Sequence, residues 1–194
     1  MSEIYVPLPK EEVRKAVERR SPSRIPLVMA KWWGEGLPEQ YGEKLRQFDA
    51  YPNDAVLAMQ EPLNPSQMGL SWQIREKEAR DTGGALPDWK HLDEFIAKMP
   101  DPQAPGLFDG LCRMAEDAHQ QDRYLLFGWW GLFFERPWGL RGMENLMVDY
   151  YEYPEQVKRL HAALCDLYVA LIERAVRELE PDGFWTSDDL GNQR

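Results

Sequence analysis

With 194 residues, 43% of them apolar, the chain can bury one sizeable core, and no break in composition divides it into two domains. Its 33 acidic against 23 basic residues leave a formal charge of -10, which argues against nucleic acid as a partner, because a phosphate backbone is held by clustered Lys and Arg. No run of about 18 apolar residues and no apolar leader occurs, so neither membrane spanning nor secretion has a signal and a cytoplasmic location is expected.

The spacing of Val13, Ala16 and Val17 predicts a helix over 10–20, closed by Ser21-Pro22-Ser23. The apolar run 25–29 reads as a first buried strand. Lys31-Trp32-Trp33-Gly34-Glu35-Gly36-Leu37-Pro38-Glu39 reads as a loop at that strand's carboxyl end, since two of its glycines and its proline oppose a regular element. A short helix over 43–50 and a turn at Tyr51-Pro52-Asn53 introduce a second strand, 54–59, which closes in Gln60 and Glu61. Residues 62–90 have a weaker pattern, a strand over 70–74 and a turn at Asp81-Thr82-Gly83-Gly84, and read as a small hairpin insertion. Helices follow over 91–99 and 107–120, the second with Leu107, Leu111, Met114, Ala115 and Ala118 on one face. A third strand, 124–127, runs into Gly128-Trp129-Trp130-Gly131, which reads as a strand-end loop closing tightly over a pocket. A helix over 143–151 precedes the longest one, which starts at Pro154 and carries Val157, Leu160, Leu164, Leu167, Leu171, Ile172, Ala175 and Leu179 on one face. It stops at Pro181-Asp182-Gly183, and a fourth apolar run, Phe184-Trp185-Thr186-Ser187, ends in Asp188 and Asp189.

Strands alternating with helices predict an α/β fold with a parallel sheet, because parallel strands need long crossovers. An open doubly wound sheet and a closed (β/α)8 barrel both satisfy the pattern. No GxGxxG or GxxxxGK[ST] follows a strand, which moves the barrel ahead. A complete barrel takes roughly 250 residues and eight strands. The chain is therefore expected to be the amino-terminal portion of a TIM barrel, about four parallel strands with outer helices, cut short at residue 194. Cys112 and Cys165 stand alone on apparent helices, so two buried, reduced thiols are expected rather than a disulfide or a metal knuckle.

These motifs, in their order and spacing, resemble the uroporphyrinogen decarboxylase superfamily, which holds the haem-pathway decarboxylase and cobamide-dependent methyltransferases on one barrel. Arg19-Arg20-Ser21-Pro22-Ser23-Arg24-Ile25-Pro26-Leu27-Val28 looks like the family's first helix and strand, and Leu37-Pro38-Glu39 like the close of its first loop. Asn53-Asp54-Ala55-Val56 to Glu61 is similar to the second strand and the catalytic carboxylate behind it. Tyr153-Pro154-Glu155-Gln156-Val157 resembles the start of the helix before strand four, and Pro181-Asp182-Gly183 to Gly191 the strand bearing a family aspartate, here Asp188. The resemblance implies catalytic roles for Asp188 and Glu61. The decarboxylase's two first-loop arginines fall on Lys31 and Glu35, and a carboxylate at the second place would repel an acidic tetrapyrrole. The tryptophans imply an aromatic, less cationic pocket, lined by Lys31, Trp32, Trp33, Trp129, Trp130 and Asp189 and suited to a small apolar or methylated substrate. The preferred implied activity is methyl transfer between a small methylated substrate or thiol and a corrinoid protein. Decarboxylation of a tetrapyrrole is the alternative. The methyltransferase branch holds zinc on a His-x-Cys pair and a later Cys, and no His-x-Cys occurs here, so no cofactor is expected on this segment and zinc would belong to a missing carboxyl half.

Blander readings stand beside these. Asp188 and Asp189 could be a turn with a helix cap, Glu61 a solvated loop acid before Pro62, and the tryptophans local core. His119 and His161 fall among charged residues of helices and read as surface histidines. The alternative to an enzyme is a non-catalytic half-barrel that binds a small molecule or a partner chain. Open strand edges would in either case favour self-association, as a homodimer or an aggregate.

Overall fold

The computed structural model describes residues 5–28, 36–51, 53–63 and 84–189. Its frame is a parallel sheet of three strands, β1 (Ala55–Met59), β2 (Tyr124–Trp130) and β3 (Gly183–Ser187), in the order β1-β2-β3. Ala55 lies opposite Tyr124 and Met59 opposite Gly128, while Leu126 faces Gly183 and Trp130 faces Ser187. The first crossover runs through α3 (Leu92–Ala97) and α4 (Asp109–Gln120), the second through α5 (Glu135–Arg141), α6 (Met143–Glu152) and α7 (Pro154–Leu179).

Alternation assigns the faces, because successive side chains of a strand point to opposite sides. Ala58, Leu125, Phe127 and Trp129 turn toward the helices and form one cluster with Leu92 and Phe95 of α3, Ala115 and Ala118 of α4, and Leu160, Leu164, Tyr168 and Leu171 of α7. Each fully buried Leu or Phe there contributes roughly 2 kcal/mol. Pro154 can open α7 because a first-turn residue needs no intrahelical N–H partner, and the helix ends at Glu180 in a left-handed conformation with Pro181 beyond it. The opposite face of the sheet is covered at its amino-terminal end, where Leu8 and Val13 pack on Ala55, Tyr124 and Leu126. Toward the carboxyl end of that face Trp130 remains 54% exposed.

Two carboxylates pin the amino-terminal ends of the strands. Asp182 accepts from the Leu125 N–H at 3.0 Å and pairs with Lys10 at 3.0 Å and Arg14 at 3.4 Å of α1 (Lys10–Val17). Asp54 is fully buried and accepts from the Leu8 and Leu27 N–H groups at 2.7 and 2.6 Å and from both terminal nitrogens of Arg24 at 2.6 and 2.8 Å. Burial pushes its pKa up, but the Arg24 guanidinium and the two N–H donors outweigh burial and hold it at about 2.

Several expectations change. Residues 25–28 are not a strand. They run beside the entry to β1, where the Asp54 N–H donates to the Leu27 carbonyl at 2.7 Å, while Ile25 stays 83% exposed and Pro26 has no N–H to give. Three strands, rather than about four, are therefore present among the described residues. The expected loop at 128–131 is mostly strand, since β2 continues through Trp130. Gly128 permits this, because a Cβ there would lie 1.7 Å from the Trp185 carbonyl oxygen. Leu37 to Glu39, the end of the expected loop, belong to the short helix α2 (Leu37–Tyr41), continued by a 3-10 turn over Gly42–Ala50; Pro38 is in the first turn, where it costs no hydrogen bond. The helix α5 went unread because Pro137 and Gly139 interrupt its pattern. Of the expected insertion at 62–90, residues 64–83 lie outside the described residues.

Candidate functional site

The carboxyl ends of the three strands bring charged and aromatic side chains together. Beyond β1, the Gln60 N–H donates to the Gly128 carbonyl at 2.9 Å, which keeps the chain against β2 and sets Glu61 at its rim. Beyond β2, Gly131 turns the chain with φ of 71° while its N–H donates to the Ser187 carbonyl at 2.9 Å. The next amides are then gathered by one side chain: Asp188, just past β3, accepts from the N–H groups of Phe133, Phe134 and Glu135 at 2.9, 3.0 and 2.8 Å. It stands at a strand end, and it caps the turn that enters α5.

Arg136, the second residue of α5, ties the strand ends together. It is 9% exposed, and its Nη2 donates to the Trp130 carbonyl at 2.9 Å and pairs with Glu61 at 2.8 Å. Glu61 stays half-exposed while one of its carboxylate oxygens meets Arg136. Tyr168 of α7 donates its hydroxyl to the Leu132 carbonyl at 3.0 Å and lies near enough to Arg136, Asp188 and Glu61 to feel their charge; burial drives its pKa upward. Glu135 is raised by burial first, then by the negative charges of Asp189 and Asp188. His161 is not a surface histidine: its ring meets Phe133 and Tyr150, its Nε2 is buried without an acceptor or donor among the described residues, and burial lowers its pKa against the pull of Asp188.

The two tryptophans of β2 part company. Trp130 and Trp185 stack edge to face with centroids 4.5 Å apart, on the face of the sheet away from the helices. Trp129, expected on a pocket wall, is completely buried on the helix side, against Tyr168 at 5.1 Å and Phe184 at 5.0 Å. Asp189 is exposed beside Asp188. Lys31, Trp32 and Trp33 lie outside the described residues.

Arg136, Glu135 and Tyr168 escaped the sequence reading. The signal for Arg136 was its place, a cation inside the aromatic stretch Phe133-Phe134-Glu135-Arg136-Pro137-Trp138, where a surface charge would be out of keeping. The thiols also differ from expectation: Cys165 is exposed, while Cys112 is partly buried and its pKa is raised by burial. Among the described residues no three His, Cys, Asp or Glu side chains gather into a group that could hold a metal ion. No described helix is long and apolar enough to cross a membrane. Comparison of the chain with protein-family models, with curated proteins and with solved structures finds no match.

Proposed function

We propose that the strand ends form the small-molecule site of an α/β enzyme of the uroporphyrinogen decarboxylase-superfamily kind, with methyl transfer between a small methylated substrate or thiol and a corrinoid protein as its chemistry. The observation that carries this reading is the convergence of Glu61, Trp130, Arg136 and Asp188 at the carboxyl ends of β1, β2 and β3, the position at which parallel α/β folds bind their ligands. A strand order that follows the chain, with the crossover helices packed on one face, is also what a singly wound barrel requires. In this reading the exposed Trp130, packed on Trp185, presents an aromatic surface to the methyl-bearing molecule, and Asp188 fixes the turn that places Arg136 against Glu61. A corrinoid partner would supply the methyl group, and a thiol acceptor held at the rim would take it and give up its proton to solvent.

The test uses methylcobalamin as the methyl donor and homocysteine or 2-mercaptoethanol as acceptor, following loss of methylcobalamin absorbance. Protein-dependent, saturable demethylation supports the reading. Absence of turnover together with decarboxylation of uroporphyrinogen assigns the alternative chemistry, and inactivity toward both with retained ligand binding assigns a binding module.

A further inference from the structure

The buried arginines among the described residues do not have equal surroundings. Arg141 forks onto both oxygens of the buried Asp149 at 2.7 and 3.2 Å and donates to the Leu86 carbonyl at 2.7 Å. Arg174 meets both oxygens of Glu178 at 3.1 and 3.0 Å and the carbonyls of Pro102 and Ala104 at 2.8 and 3.0 Å. Each of those two cations meets both oxygens of a carboxylate and holds the fold. Arg136 is also buried but less well matched: its Nη2 is shared between Glu61 and the Trp130 carbonyl, its Nη1 reaches the Leu63 carbonyl only at 3.4 Å, the neutral Tyr168 hydroxyl lies beside it, and its buried Nε has no acceptor among the described residues. A guanidinium carries five N–H donors in a rigid fork that fits a planar carboxylate with two parallel bonds. Glu61 supplies one contact from a side chain that is 50% exposed. A buried donor left without an acceptor in a native structure calls for an explanation.

The neighbouring acids do not complete the match. The oxygens of Asp188 are engaged by three N–H groups of the turn, and among the described residues the ion pair of Arg136 is with Glu61, not with Glu135. Glu61 and Asp189 still make the rim acidic, which disfavours a dianionic phosphate and leaves room for a monoanion. Resting on the reading of the strand ends as a small-molecule site, we infer that Arg136 receives a carboxylate of the ligand in a two-bond fork, and that Glu61 is the internal carboxylate that holds the place and yields to it. The ligand class is thus a small planar monocarboxylate.

Benzoate, benzamide and benzyltrimethylammonium separate the possibilities, each titrated against the protein's tryptophan fluorescence and its thermal midpoint. Benzoate is expected to bind about tenfold more tightly than benzamide, a charge-assisted fork against a neutral contact. Glu61→Gln removes the internal competitor while leaving the guanidinium in place, so it should tighten benzoate about threefold or more and enlarge the rise in thermal midpoint that benzoate produces. Arg136→Lys, which keeps the charge and loses the fork, should bring benzoate down to the benzamide level. Equal binding of benzoate and benzamide, a preference for benzyltrimethylammonium, or an unchanged benzoate affinity in Glu61→Gln overturns the inference and leaves the small-molecule site standing. Silence from all three probes overturns the site with it.

Discussion

Asp188 commits both carboxylate oxygens to the amides of Phe133, Phe134 and Glu135, so removing it leaves three donors of one turn without their acceptor. Asp188→Ala is therefore expected to cost about 2 kcal/mol, read from urea unfolding, with Asp188→Asn recovering part of it because one oxygen remains. Trp130 is the complementary case. Its exposed ring supports little of the core, so Trp130→Ala should leave the urea midpoint nearly unchanged while raising KM in the methylcobalamin assay about tenfold. The sequence pointed to Asp188 through its place behind an apolar run, but only coordinates reveal that its partners lie more than 50 residues earlier in the chain. The difference between Trp129 and Trp130 was closer to legible. Ending the strand at Phe127 left both indoles in a presumed loop, whereas extending it to residue 130 puts Trp129 in line with Leu125 and Phe127, and Trp130 on the other side.

At the scale of elements, β2 and β3 approach closely because Gly128 has no side chain. A Cβ at that position would stand 1.7 Å from the Trp185 carbonyl oxygen, so Gly128→Ala must push the strands apart and is expected to cost about 3 kcal/mol and to loosen the Trp130–Trp185 contact. Chemical unfolding with fluorescence detection measures both effects. Legibility followed the strength of periodicity. α7 and α4 fall where the spacing of Leu and Ala places them, and β1, β2 and β3 each contain an expected apolar run. The run 25–28 misled because apolar composition alone does not make a strand: Pro26 lacks a donor and the segment meets β1 only at its entry. α5 was hidden for the opposite reason, since Pro137 sits in its first turn and the capping carboxylate comes from Asp188, far away in sequence.

For the molecule as a whole, pH acts through two opposing contributions. The formal charge of -10 near neutrality repels itself, so lowering the pH toward about 5 relieves the repulsion and favours the folded state. Asp54 acts in the other direction. Its folded pKa of about 2 lies below its ordinary 3.8, so its contribution is complete above the ordinary value and is lost as the pH falls from about 4 through 2. Fully buried and joined to Arg24, Leu8 and Leu27, it is worth about 2 kcal/mol by that linkage. A stability profile that rises gently below pH 7 and drops below pH 4 is the expected shape, and Asp54→Asn should be less stable at neutral pH and flatter on the acid limb. Denaturant midpoints across that range check both.

The Trp130–Trp185 pair has an optical consequence. Two indoles crossing at 84° with their centres 4.5 Å apart couple their electronic transitions, so together they should give a split circular-dichroism signal that neither gives alone. The amplitude of that couplet is a built-in gauge of whether β2 and β3 are docked, and it would vanish on replacing either indole even where the backbone stays folded.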